Sequence, residues 1–129
     1  MANTFLRKTS KSVGIAASDS TWWQVGASTA GASQTGAYTV AASTTTTVIG
    51  FSITNVTTSS VDVDVAIGTT MADVASDVAL ASSVPIPSGS TLVLFGGDQM
   101  LNMVTGDLIK VKSSANNSVD VVMSVLEIT

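Results

Sequence analysis

Ser60-Val61-Asp62-Val63-Asp64-Val65-Ala66-Ile67 alternates apolar and polar residues without a break until its last turn. Successive side chains of a strand point to opposite faces, so Val61, Val63, Val65 and Ile67 line one side while Asp62 and Asp64 line the other. A helix would scatter the same residues around its circumference. The stretch is a half-buried strand, its valines against a core and its aspartates outward.

The same period extends in both directions. Upstream, Thr47-Val48-Ile49-Gly50-Phe51-Ser52-Ile53-Thr54 is rich in β-branched residues and puts Ile49, Phe51 and Ile53 on one face. Downstream, Leu108-Ile109-Lys110-Val111-Lys112 sets Leu108 and Lys110 against Ile109 and Val111. Val119 to Ile128 is the longest run, with Val119, Val121, Met123 and Val125 on one side and Val122, Leu126 and Ile128 on the other, so it is expected to be central. Thr91 to Phe95 is another short strand, and further strands are expected at Trp22–Val25 and near Tyr38–Val40. Asn55 to Ser60 and Ala115-Asn116-Asn117 read as hairpin loops, and Gly96-Gly97-Asp98 and Thr105-Gly106-Asp107 as tight turns. Pro85 and Pro87 mark an edge or irregular connector. Gly26 to Gly36 reads as a long loop, and Thr70 to Ser83 supports a helical turn and a strand equally. Short strands separated by turns predict an all-β chain: a single antiparallel β-sandwich, immunoglobulin-like or jelly-roll-like, over residues 13–129. Residues 1–12 read as an extended N-terminal arm.

Composition narrows the function. The 129 residues contain neither Cys nor His, which removes thiolate metal sites, the commonest metal ligand and the usual general base. Asp62 and Asp64 share a face, but a hydrolytic pair needs a cleft and a Ca²⁺ site needs six or more oxygens; the reading is a solvated strand face. Gly96-Gly97-Asp98 lacks the Lys-Ser/Thr that opens a phosphate-binding helix. No catalytic residue, cofactor, metal or small-molecule substrate is expected, and the chain is read as not an enzyme.

Charged residues are only 11 % of the chain, so a surface of Ser, Thr, Ala and Val can meet a neighbour without stripping water from many ions. The net charge of −4 is unevenly placed: Arg7, Lys8 and Lys11 fall where there is no acid, while the remainder carries two bases against nine acids. The arm, with Phe5, Leu6, Arg7, Lys8 and Lys11, is expected to dock on an acidic, partly apolar groove of a neighbouring protein. Three bases without interleaved aromatics are too few for a nucleic-acid footprint. No run approaches a membrane span, and no apolar leader follows Met1. Asn55-Val56-Thr57 and Asn116-Asn117-Ser118 match the glycosylation pattern by chance on this reading. Trp22 and Trp23 are adjacent, so one enters the core and the other is free to anchor a neighbouring subunit or to form a sugar-binding platform.

Gly96-Gly97-Asp98-Gln99, Gly106-Asp107-Leu108-Ile109-Lys110-Val111 and Ser118-Val119-Asp120-Val121-Val122-Met123-Ser124-Val125-Leu126-Glu127-Ile128 resemble a family of small virion structural proteins of tailed bacteriophages, notably phages of cyanobacteria and other aquatic bacteria. Phe5 to Gly14, Tyr38-Thr39-Val40 and Val48-Ile49-Gly50-Phe51 add to the resemblance, which covers most of the chain through turn and strand patterns. Two departures stand out. Trp22 to Ala37 looks like an insertion, and Ala41-Ala42-Ser43-Thr44 stands where the family often has Pro-Ala-Gly-Lys. The resemblance implies a protein made in the bacterial host cytoplasm and built into the virion. Its partners would be the major capsid protein or another virion protein, and copies of itself. Within that class the expectation is a capsid decoration or cement protein that stabilises the shell through subunit contacts. A neck, tail or baseplate component is the alternative, and a carbohydrate-binding module of a fibre is the alternative of another class.

Overall fold

The computed structural model describes residues 3–15, 22–27, 37–71, 75–96 and 99–129. Nine strands run through them: β1 (Asn3–Val13), β2 (Trp23–Gln24), β3 (Thr45–Asn55), β4 (Val61–Gly68), β5 (Val78–Ile86), β6 (Thr91–Phe95), β7 (Leu101–Met103), β8 (Leu108–Ser113) and β9 (Val119–Ile128), with no helix among the described residues. They form two antiparallel sheets, as the period-two runs require. Sheet A has the order β1-β9-β3, with β6 and β7 sharing the far side of β3; sheet B has the order β2-β8-β4-β5.

The core lies between the sheets. Sheet A contributes Val48, Phe51, Ile53, Val121, Met123 and Val125, and sheet B contributes Val61, Val63, Val65, Ile109 and Val111, all essentially buried. Each buried side chain of this size contributes about 1.5–3 kcal/mol, so the alternation specifies the register of both sheets. One phase differs from the expectation. A bulge between Val48 and Gly50 inserts an extra residue opposite β9, so Val48 rather than Ile49 joins Phe51 and Ile53 in the core, and Ile49 is half-buried. The run at β9 is central as expected, between β1 and β3; at ten residues it is one shorter than either neighbour.

The two expected hairpin loops are not hairpins. β3 and β4 lie in different sheets, as do β8 and β9, so residues 56–60 and 114–118 arch from one sheet to the other. Asn55 ties the first arch down. Its Nδ2 donates to the carbonyls of Ser59 and Ile86 (2.8 Å each), while its Oδ1 accepts the Thr57 N–H and hydroxyl. With no exposed surface, this amide is committed to the fold rather than to a glycan. The Val104–Asp107 turn is tight as expected: Asp107 N–H donates to the Val104 carbonyl, and Gly106 adopts φ +92°, which a side chain would disfavour. Gly26 to Gly36 and Gly96-Gly97-Asp98 fall partly outside the described residues. Tyr38 to Val40 is not a strand; it crosses the end of the sandwich, Tyr38 N–H bonding the Val25 carbonyl and Val40 N–H that of Asp107. The ambiguous stretch ends in β5, an edge strand carrying Pro85, where proline costs no central ladder bond.

The expected arm is extended, but it is a strand of the sheet. Asn3 to Ser10 pair residue by residue with Ile128 to Val121, and after an irregularity Val13 pairs with Val119. The ladder thus crosses the division placed at residue 12. Period-two spacing is partly masked here because both faces of the strand carry bases.

Candidate functional site

β1 is the outer strand of sheet A, and among the described residues no strand pairs with its side away from β9. Paired residues of an antiparallel ladder share a face. Phe5 pairs with Leu126, Arg7 with Ser124 and Thr9 with Val122, which places all three on the outer face of sheet A. Phe5 is 72 % exposed and Arg7 is exposed. Leu6 and Lys8 pair with Val125 and Met123 and so point inward. Leu6 packs against the core, and the Lys8 ammonium lies 5.7 Å from the Tyr38 ring centroid. Lys11 is exposed. The predicted contact residues of β1 therefore separate into an outward set, Phe5, Arg7 and Lys11, and an inward pair, Leu6 and Lys8.

The outer face of sheet A continues this surface with few charges. Across β9 and β3 it carries Leu126, Ser124 and Val122 beside Thr47, Gly50 and Ser52, and Val93 of β6 follows in the same row as Val122. Val122 and Val93 are 41 % and 64 % exposed.

Trp22 and Trp23 part to opposite sides, as adjacency on a strand requires. Trp23 pairs with Val111 and packs on the core. Trp22 lies on the outer side of sheet B, in a cleft of about 230 Å³ with Asp64, Ala66, Asp77 and Lys112. The Lys112 ammonium sits over the Trp22 ring, 4.4 Å from its centroid. Such a contact is worth about 0.5–1 kcal/mol at an exposed site. Neither indole N–H finds a hydrogen-bond partner among the described residues. The two predicted patches are not brought together: β1 lies at the edge of sheet A, Trp22 on the back of sheet B.

Asp62 is exposed on that same outer face. Asp64 is half-buried, and its Oδ1 accepts the N–H of Ser83 (2.8 Å), a residue at φ +49° where the β4–β5 register shifts. A second groove, about 320 Å³, runs alongside the first and is lined by Ile15, Asp62, Asp64, Ser83 and Lys112 among others. Among the described residues no group of three or more Asp, Glu, His or Cys is placed to hold a metal ion, and no helix is long and apolar enough to cross a membrane.

The buried charge of sheet B escaped the sequence reading. Lys110 has no exposed side-chain surface; its Nζ donates to Asp77 Oδ2 at 2.6 Å and to the Met71 carbonyl at 3.4 Å. Gly68 makes room for this pair, because a Cβ there would lie 2.0 Å from Asp77 Oδ1. The alternation at Leu108–Lys112 did place Lys110 opposite the core; nothing local showed that residues near 71 and 77 would cover it.

The fold and surface define a charge-poor β-sandwich domain. No protein-family model and no curated protein matches the chain. Among solved structures it is similar to the globular domain of zebrafish complement 1qA protein, with 12 % identity and a TM-score of 0.42 over 95 % of this chain and 94 % of that one.

Proposed function

We propose that the chain is a structural protein of a bacteriophage particle, acting as a capsid decoration protein that binds across the seams of the assembled shell. The observation that carries the reading is the joined surface at the edge of sheet A. The side of β1 that no described strand pairs, exposed Phe5 and the charge-poor outer face with Leu126, Val122 and Val93 form one continuous area. Such a surface can be buried with little ion desolvation, and an open edge strand can extend its ladder into a neighbour's backbone. The resemblance to virion proteins supports the same reading. Binding only to the assembled shell would stabilise it by mass action, without any chemical step.

A sugar-binding role is less well supported, since Lys112 already occupies one face of Trp22. The test is the ratio of this chain to the major capsid protein in purified particles. Copies on the scale of the shell subunit are expected. A handful per particle points to neck, tail or baseplate, and absence from particles overturns the reading.

A further inference from the structure

We propose that copies of this chain join head to tail, with Arg7 and Lys11 at the β1 edge of one copy seated on Asp62 and Asp64 in the sheet B groove of the next. The inference rests on the structural role above and names one partner for the Arg7 and Lys11 side chains of β1: a second copy.

Charge complementarity carries it. Among the described residues the one ion pair is Lys110–Asp77, and Arg7, Lys11, Asp62 and Asp64 have no ionic partner among those residues. β1 holds three bases and no acid on a chain that is otherwise strongly acidic. The receiving groove has carboxylates on its wall and Ile15, 50 % exposed, at its apolar end. It has the acidic and partly apolar character that the β1 side chains call for. Its own cation does not fill it, because the Lys112 ammonium is drawn over Trp22. Asp64 uses Oδ1 on Ser83, while Asp62 projects into solvent. An arginine fork matches such carboxylate oxygens better than a lysine does. Arg7 points outward, whereas Lys8 is turned in toward Tyr38 and takes no part.

Two alternative self-contacts are disfavoured by the same geometry. A twofold β1–β1 ladder would bring the bases of one edge against those of the other, and like charges across strands repel. Extension of β1 onto the edge of β5 is blunted by Pro85 and by the irregular backbone at Ser83. The donor edge and the receiving groove lie on different sheets, so one copy can use both at once. The contact is then heterologous, closing into a ring or continuing as a filament.

The test is sedimentation velocity on the purified full chain at low salt, with folding of every variant checked by far-UV circular dichroism and thermal unfolding. Wild type is expected to self-associate, and less so as salt rises and screens the pairs. Arg7→Glu with Lys11→Glu, or Asp62→Lys with Asp64→Lys, should each weaken association about tenfold or more. Mixing the two reversed proteins, or combining all four changes in one chain, should restore it. Lys8→Gln should leave it unchanged. If a reversed variant misfolds, Arg7→Gln with Lys11→Gln and Asp62→Asn with Asp64→Asn give the same reading at smaller amplitude. A wild type that stays monomeric at low salt, or a four-fold variant that does not recover, overturns the inference. Particle stoichiometry is read separately: a monomer found at shell copy number sinks the head-to-tail contact alone, and a self-associating chain absent from particles sinks the virion role alone.

Discussion

Lys110 sits on a central strand of sheet B, fully buried, with Asp77 as its counter-ion and the Met71 carbonyl as a second acceptor. Burying two charges costs several kcal/mol each, and their attraction offsets this only while both are present. Asp77→Ala should therefore lower stability by about 3–5 kcal/mol, because it strands an ammonium in the interior. Lys110→Met with Asp77→Leu should cost much less than the single change. Urea denaturation of the singles and the double gives the coupling. A double whose loss equals the sum of the losses of Lys110→Met and Asp77→Leu measured singly would show that the pair contributes no coupling. The ion pair was illegible in the sequence for a physical reason: its partners are 33 residues apart, and alternation reports which face a side chain takes but not what later covers that face. Trp22 and Trp23 show the reverse case. Adjacency alone fixes that they diverge, and the fold keeps that divergence.

At the scale of elements, β1 is where spacing and structure part most. Its residues alternate between the outer face and the core face, yet bases fall on both, so the segment lacks the polar–apolar signature that made β4 plain. What orders it is β9, more than a hundred residues away, through a continuous ladder and the packing of Leu6 on the core. The arches at 56–60 and 114–118 fail in the same way: a polar loop between two runs of period two marks a reversal of chain direction, not the sheet in which the next strand pairs. The bulge at Val48–Gly50 shifts one residue's phase and no more. Removing residues 2–12 should strip β9 of a neighbour on one side and expose its backbone edge beside Val121, Met123 and Val125. The expected result is a stability loss of about 2 kcal/mol or more, with aggregation through the new edge. Thermal unfolding together with light scattering checks it. An unchanged transition would mean that β1 is held too weakly to count as part of the domain.

The chain passes between sheets at most of its connections, so neither sheet can be dismantled without the other, and cooperative, two-state unfolding is expected. A group that titrates differently in the folded chain should then show in the stability of the whole molecule. Tyr38 is such a group. It closes one end of the sandwich, its N–H bonding the Val25 carbonyl beside sheet B, its hydroxyl donating to Glu127 Oε2 on β9 (2.8 Å) and sharing a 2.7 Å bond with Thr46 on β3. Burial raises its pKa most; the Thr46 hydrogen bond pulls the other way, and Glu127 adds to the rise, leaving it pushed up to about 12. In the unfolded chain a tyrosine titrates near pH ~10. Between these values the unfolded chain has lost the phenolic proton while the folded chain keeps it. The folded state then binds more protons, so stability falls as pH rises through that window. The contribution is intact below the unfolded value. Tyr38→Phe should be less stable than wild type at neutral pH, because Thr46 and Glu127 lose a buried partner. Its stability should decline less steeply in alkali, so the two curves converge as pH rises. Thermal unfolding of both proteins from neutral pH into the alkaline range measures this. Curves that stay parallel would mean that Tyr38 ionises as readily in the folded chain as in the unfolded one, and that its seat between the sheets is not closed to solvent.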